Sequence, residues 1–239
     1  MYNDWKVLSD TLNTALHLDV PPVAITFLDE NSGDVPMFDA PMSESAADGR
    51  RGRVPAGCVF WVHGVTKTFS TVPEDHGNCS VGSLTHGLKK LDDVDGNDDV
   101  SALLSSGWVT MDMVPNIPTI SKKPVSIIYG PLAETSIDPD VVLLRVNGRQ
   151  LMVLSDAIPD LRIEGKPQCH IVAVAKEQGV SAASVGCALS RARTGMRPHE
   201  MTCAIPARQL FEVTRSVATM AEIDGVVAKY AAVDSRRFA

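Results

Sequence analysis

The chain has 239 residues, of which 44% are hydrophobic, enough to bury a sizeable core. Its formal net charge of -7 and its pI near 5.3 argue against the basic face that a nucleic-acid-binding surface needs. The N-terminal residues lack the basic start and the apolar stretch of a secretory signal, and no later segment is long enough to cross a bilayer. We therefore expect a cytoplasmic protein that binds neither nucleic acid nor membrane.

The first part of the chain shows a helix pattern, a strand pattern and then a long irregular stretch. Apolar residues recur at three- and four-residue steps over residues 3–17, which predicts an amphipathic helix. Residues 23–28 form an apolar run that predicts a buried strand. Residues 29–55 are polar, carry Pro and Gly and show no periodicity. Because loops of this length usually bind something or move over a site, we interpret residues 29–55 as a long loop or lid.

The rest of the chain mixes strand and helix patterns without a regular repeat. The predicted strands are residues 66–72, 125–129, 141–146, 181–187 and 201–205, and the predicted helices are residues 79–91, 101–106, 150–160, 168–178 and 207–230. This order predicts an α+β fold: a single compact domain with a mixed sheet, flanking helices and a long C-terminal helix. No Gly-rich phosphate loop joins a strand to a helix, so nothing indicates a nucleotide site.

Four of the five cysteines lie in short segments rich in Gly, Ser and His, which are typical of a sulfur ligand or nucleophile rather than of a packed thiol. They are Cys58, Cys79, Cys169 and Cys187. A reducing cytosol and an odd cysteine count disfavour a disulfide framework, so we expect metal binding or thiol chemistry. If the first three open helices, their exposed N–H groups and local dipoles would favour thiolate over thiol.

Short motifs follow one another in a characteristic order along the chain. They are Pro21-Pro22-Val23-Ala24, Cys58, Asp75-His76-x-x-Cys79-x-x-Gly82, Val114-Pro115-Asn116, Tyr129-Gly130-Pro131-Leu132, Asp140-Val141-Val142, Cys169, Val185-Gly186-Cys187 and Ile205-Pro206. This order resembles the archaeal cysteine-rich proteins of domain-of-unknown-function family 169, over almost the whole chain. That family is functionally uncharacterised and is suspected of iron-sulfur chemistry.

The resemblance implies that the same four cysteines occupy the family's cysteine positions, whereas Cys203 stands where a small residue is expected and is interpreted as a core thiol. One segment departs from the family pattern. The apolar run Val59-Phe60-Trp61-Val62 replaces a longer polar helix, which indicates a different pocket lining or substrate.

A [4Fe-4S] cluster is the cofactor that we expect. It needs three or four thiolates around one inorganic core, under N–H groups that stabilise its negative charge. No Cys-x-x-Cys pair is present, so the ligands can meet only in the folded chain, which suits chemistry in a pocket. Zinc is the alternative metal, and metal-free thiols also stay open. Three ligands would leave an open iron for Lewis-acid chemistry, whereas four would favour electron transfer.

The main hypothesis is an iron-sulfur lyase, hydrolase or oxidoreductase that acts on a small organic molecule under the 29–55 loop. His76 is the predicted acid or base because it lies in the motif of Cys79; the other candidates are His63, His86 and His170. Asn116, between two prolines, and Arg191, just beyond Cys187, are predicted to bind substrate. The sequence leaves open whether the protein forms a homo-oligomer.

Two other classes of function compete with this hypothesis. In the first, Cys79 or Cys187 is a nucleophile activated by a histidine, in a hydrolase or transferase whose neighbouring Gly leaves room for substrate. This alternative explains one cysteine and leaves three unexplained. The second is a non-catalytic zinc-binding module, which would lose its fold when the metal is removed.

Overall fold

The computed structural model describes residues 4–38, 57–77, 79–165 and 167–237. Within these ranges the strands are β1 (Val23–Leu28), β2 (Phe69–Thr71), β3 (Ser126–Pro131), β4 (Val141–Val146), β5 (Arg162–Glu164), β6 (Ala182–Ser184) and β7 (Met201–Pro206). The helices are α1 (Trp5–Leu16), α2 (Gly57–His63), α3 (Ser80–Thr85), α4 (Asp98–Ser105), α5 (Gly148–Ala157), α6 (His170–Ala173), α7 (Ala188–Thr194) and α8 (Leu210–Asp234).

The described strands form one mixed sheet in the order β2-β3-β1-β4-β7-β6-β5. Neighbouring strands are antiparallel except β5 and β6, which run parallel. The central strand β4 is apolar at five of its six positions because helices cover both faces of the sheet. This mixed sheet, with its flanking helices and the long helix α8, confirms the predicted α+β fold.

Alternate residues of β4 separate two hydrophobic layers. Val142 and Leu144 pack with α1, α5 and α8 on one face, while Val141 and Leu143 pack with α2 and α6 on the other. Cys203 lies in the first layer and is fully buried there, as expected of a core thiol. Cys58 and Cys169 lie in the second layer, so this face of the sheet carries the candidate functional site.

Differences between the predicted and observed elements are concentrated near the cysteines. The segment predicted as a strand over residues 181–187 contains only β6, and Cys187 then begins α7, which was not predicted. Of the predicted loop over 29–55, residues 39–55 lie outside the described residues. Its described beginning packs onto the domain: Met37 bridges to Ser70 of β2, and Phe38 is buried. No helix in the described ranges is both long and apolar enough to cross a membrane.

Candidate functional site

Four cysteines that are far apart in sequence line one narrow recess of about 20 Å³. They are Cys58, Cys79, Cys169 and Cys187. In each of the six pairs that they form, the negative charge of one ionised cysteine raises the pKa of the other. Such an effect requires the side chains to lie close together. The fold therefore brings the four thiols together.

Each of these cysteines stands at the start of a short helix. Cys58 is the second residue of α2, and Cys79, Cys169 and Cys187 are the N-cap residues of α3, α6 and α7. The first three therefore do open helices, but the expected preference for thiolate over thiol does not follow, because burial raises the pKa of all three. The helices have only four to seven residues, so individual N–H groups matter more than the helix dipole. The Gly82 N–H, for example, points at Cys79 Sγ from 3.4 Å.

Burial keeps three of the thiols protonated at neutral pH. It raises the pKa of Cys58 to about 11, raises that of Cys79, and raises that of Cys169 well above its ordinary value. Hydrogen bonds with Ser190 and Thr85 act in the opposite direction on the pKa of Cys58 and Cys169 respectively, but do not outweigh burial. Such thiols are weak nucleophiles, whereas a metal ion can displace their protons on binding.

Arg193 places a positive charge beside the thiols. It lines the recess, and its charge lowers the pKa of Cys58 and Cys79. Its Nη1 atom is buried, and no described residue accepts a hydrogen bond from it. Gln168, also in the lining, donates from Nε2 to Ser190 Oγ at 2.6 Å and has no donor to its Oε1 among the described residues. The recess thus offers one cation and one amide oxygen to an anionic or polar guest.

Asp99 of α4 fixes the start of α3 next to Cys79. Its carboxylate accepts from the Ser80 N–H at 2.8 Å and from Ser80 Oγ at 2.7 Å. Asn97 Nδ2 in turn donates to Ser80 Oγ at 2.9 Å. The start of α4, with Asn97 and Asp99, therefore has a structural role in orienting Cys79.

Two buried histidines adjoin the recess across Gly57, and hydrogen bonds fix their tautomers. The Thr71 hydroxyl has a single proton, which it donates to the Ile127 carbonyl at 3.2 Å. Its contact with His76 Nε2, at 3.1 Å, is therefore one in which Nε2–H donates and Thr71 Oγ1 accepts. His86 donates from Nδ1 to the Gly82 carbonyl at 2.9 Å. Nδ1 of His76 and Nε2 of His86 therefore carry lone pairs, and no described residue donates to either.

The unprotonated nitrogens of His76 and His86 lie at equal distances from a point beside Gly57. A Cβ atom added to Gly57 would lie 3.7 Å from each of the two nitrogens. Burial lowers the pKa of His86 to about 4 and lowers that of His76 well below its ordinary value, so both imidazoles are neutral at pH 7. The pair can accept protons or hydrogen bonds at this point. His76, the predicted acid or base, thus has a partner in His86.

The two predicted substrate-binding residues lie elsewhere: the described lining of the recess includes neither Asn116 nor Arg191. Asn116 ends an exposed turn and donates to the Asp112 carbonyl at 3.2 Å. Arg191 donates to the backbone carbonyls of Val185 at 2.9 Å and Glu200 at 2.7 Å, which ties together the loops on either side of α7. The arginine that faces the thiols is Arg193.

A larger, mainly aliphatic cavity of about 200 Å³ adjoins the recess. Val81 and the helix α3 form a wall common to both. Its other lining side chains include Leu84, Leu103 and Ile117, with Asp92 and Asp95 as charged groups. Its aliphatic lining suits a small apolar ligand or part of one.

The thiols do not form a ready coordination site. In the described part of the chain, no group of three or more His, Cys, Asp or Glu side chains is arranged to hold a metal ion.

Comparison with known proteins identifies only the family. Neither a curated protein nor a solved structure matches the chain significantly. A family model matches residues 11–216, a range that contains the four recess cysteines and the two buried histidines, and it describes domain-of-unknown-function family 169 as uncharacterised ArCR. Because this match covers most of the sequence, the chain belongs to domain-of-unknown-function family 169.

Proposed function

We propose that this protein binds a [4Fe-4S] cluster through Cys58, Cys79, Cys169 and Cys187 and uses it on a small organic substrate. The observation that carries the proposal is that four thiols from separate elements line one recess. Thiolate sulfur is the ligand that iron-sulfur clusters require, and Zn²⁺ is the other common guest of such a donor set.

The surroundings of the thiols fit an anionic guest with several sulfur atoms. Helix starts turn backbone N–H groups towards the cysteines, as the Gly82 N–H shows at Cys79. Arg193 supplies a positive charge that offsets the charge of thiolates. Because burial raises the pKa of three thiols, their deprotonation would be coupled to metal binding and would release protons.

Held by all four thiolates, a cluster would supply a one-electron centre; held by three, it would leave a Lewis-acidic iron open to the substrate. The protein's own residues would then position the substrate. Arg193 and Gln168 can hold a polar or anionic group in the recess, and the aliphatic cavity behind Val81 can hold an apolar part of the same molecule. The unprotonated nitrogens of His76 and His86, which lie near Gly57, can accept a hydrogen bond or a proton from the substrate.

The thiol environment gives less support to the cysteine-nucleophile alternative. An activated cysteine needs a lowered pKa or a histidine within hydrogen-bonding reach. Burial instead raises the pKa of Cys58, Cys79 and Cys169, and no histidine is among the described residues that line the recess. The zinc module is kept as an outcome of the experiment below.

Anaerobic purification with quantification of iron, sulfide and zinc tests the proposal. We expect about four irons and four sulfides per chain, and loss of most of the iron in a Cys→Ser variant at each of the four recess positions. Cys203→Ala is the matched control, because it removes a buried thiol from the opposite face of the sheet. It should keep the full iron content.

The number of ligands follows from the same set of variants. A cluster that tolerates replacement of one cysteine, with an altered electron paramagnetic resonance signal, would identify an iron with a site open to substrate. Equal iron in wild type and all four variants, or zinc without sulfide, would overturn the proposal.

A further inference from the structure

The C-terminal half of α8 exposes a stripe of large apolar side chains. More than half of the surface of each remains exposed, from 52% for Ile223 to 70% for Tyr230. The stripe consists of Ile223, Val226, Val227, Tyr230 and Val233. Exposed apolar groups scattered singly are ordinary, but a contiguous set on one helix marks an interaction surface.

The stripe faces away from the rest of the protein. In the first half of α8, Leu210, Val213 and Val217 are buried against the layer that contains α1 and α5. At about 100° per residue, the stripe centres nearly on the opposite side of the helix from these residues. No described part of the chain covers it, so the stripe is not part of the core of this fold.

Its spacing is that of a helix-helix seam. Ile223, Val226, Tyr230 and Val233 follow one another at steps of three, four and three residues, the a and d positions of a heptad repeat. Val227 lies beside this seam and widens the apolar face to roughly that of a helix in a bundle. Such a face buries itself against another helix that carries the same pattern.

The charges around the stripe favour a second copy over a lipid surface. Residues 222–237 contain three acids, Glu222, Asp224 and Asp234, and three bases, Lys229, Arg236 and Arg237. A membrane-surface helix would be rich in Lys and Arg on its polar face. With the heptad begun at Ile223, Lys229 falls at a g position and Asp234 at an e position, which lie opposite each other between two parallel copies.

We propose that the stripe on α8 is a homodimer interface in which two copies of the chain pack these helices against each other around a two-fold axis. The five side chains would remove roughly 500 Å² from each copy, which brings the total near the lower bound of about 1,000 Å² for a specific interface. The dimer is therefore expected to dissociate on dilution.

Sedimentation velocity and light scattering over a wide range of protein concentration test the interface. The apparent mass should rise with concentration from the 25.6 kDa of one chain towards twice that value. In the double variant Val226→Glu/Tyr230→Glu, like charges meet in the seam, and we expect association to weaken at least tenfold. Both residues are exposed, so the fold should be unaffected.

The matched control carries the same added charge outside the stripe. Ala231→Glu/Ala232→Glu changes two exposed positions of α8 that lie off the seam, and it should associate like wild type. Monomer at every concentration, or equal association of the two double variants, would overturn the proposal. Binding of the monomer to anionic vesicles that the seam variant alone abolishes would also overturn it.

Discussion

Replacement of Gly57 by alanine tests whether the imidazoles of His76 and His86 need a hydrogen-bond donor, such as a bound water molecule. The new methyl carbon would lie 3.7 Å from Nδ1 of His76 and from Nε2 of His86, and 3.6 Å from Cε1 of His86. These are ordinary van der Waals contacts, so the methyl group fits without moving the rings. It would, however, crowd the space beside the two nitrogens that a hydrogen-bond donor, such as a water molecule or a substrate group, needs.

Opposing effects make the sign of the stability change informative. Alanine should gain up to about 1 kcal/mol from helix propensity and about 0.8 kcal/mol from the buried methyl group. Two buried acceptors left without donors cost about 1–3 kcal/mol each. Because buried polar atoms are nearly always hydrogen-bonded, we expect the cost to dominate, with a net loss of roughly 1–4 kcal/mol.

Urea unfolding of the reduced, metal-free protein at pH 7.5 measures this change. Gly148→Ala is the matched control: Gly148 is the first residue of α5 as Gly57 is of α2, and its added methyl carbon would meet only Met201 Cε, at 3.9 Å. It should stabilise slightly. If Gly57→Ala stabilises the protein as much as this control, the imidazoles need no donor and the reasoning fails. In a His86→Leu background, the loss caused by Gly57→Ala should shrink.

Further predictions concern pH, thiol reactivity and the sheet. Burial lowers the pKa of His86 in the folded protein to about 4. Because the unfolded chain then binds a proton more readily, the free energy of unfolding should fall by on the order of 3 kcal/mol as the pH drops from about 6.5 to 4. In urea titrations at different pH values, His86→Leu should show a smaller fall. Burial raises the pKa of the Cys203 thiol to about 12. After alkylation of the folded protein at pH 8, mass spectrometry should therefore show Cys203 unmodified until the protein unfolds. Alkylation of Cys203 in the folded protein would contradict its burial in the core. Asp140 accepts from the Phe27 N–H at its Oδ2 (2.7 Å) and from Lys176 Nζ at its Oδ1 (2.8 Å). Asp140→Ala should therefore cost about 2–4 kcal/mol and Asp140→Asn, which keeps one acceptor oxygen, should cost less; equal costs would exclude a role for the retained oxygen.

The central strands of the sheet could be predicted because their burial is visible in the local sequence pattern. The predicted bounds of β1 and β4 match the structure, since each is a short apolar run between turn-forming residues. The helix α7 was missed because its sequence, Ala-Leu-Ser-Arg-Ala-Arg-Thr, has no apolar periodicity. Its ends are held by tertiary contacts of Arg191 with the carbonyls of Val185 and Glu200, which local patterns do not reveal.

The site was predictable in its chemistry but not in its geometry. Gly- and Ser-rich contexts singled out the four cysteines, yet their convergence depends on the packing of four separate helix starts. The sequence also favoured Arg191 over Arg193 as a substrate ligand. The two residues are about 200° apart around α7, so they lie on nearly opposite sides of it, and only the helix and its orientation decide which one faces the thiols.

Two consecutive residues at the start of α2, Gly57 and Cys58, lie beside the two chemical features of the candidate site, the pair of imidazoles and the group of thiols. Cys58 presents its sulfur to the recess, while the position where Gly57 lacks a side chain faces the two imidazoles. A residue with any side chain at position 57 would fill the space beside the lone pairs without removing a thiol. The two features are therefore separable: Gly57→Ala should keep the iron content of wild type, whereas Cys58→Ser should lose iron and leave the environment of the imidazoles unchanged.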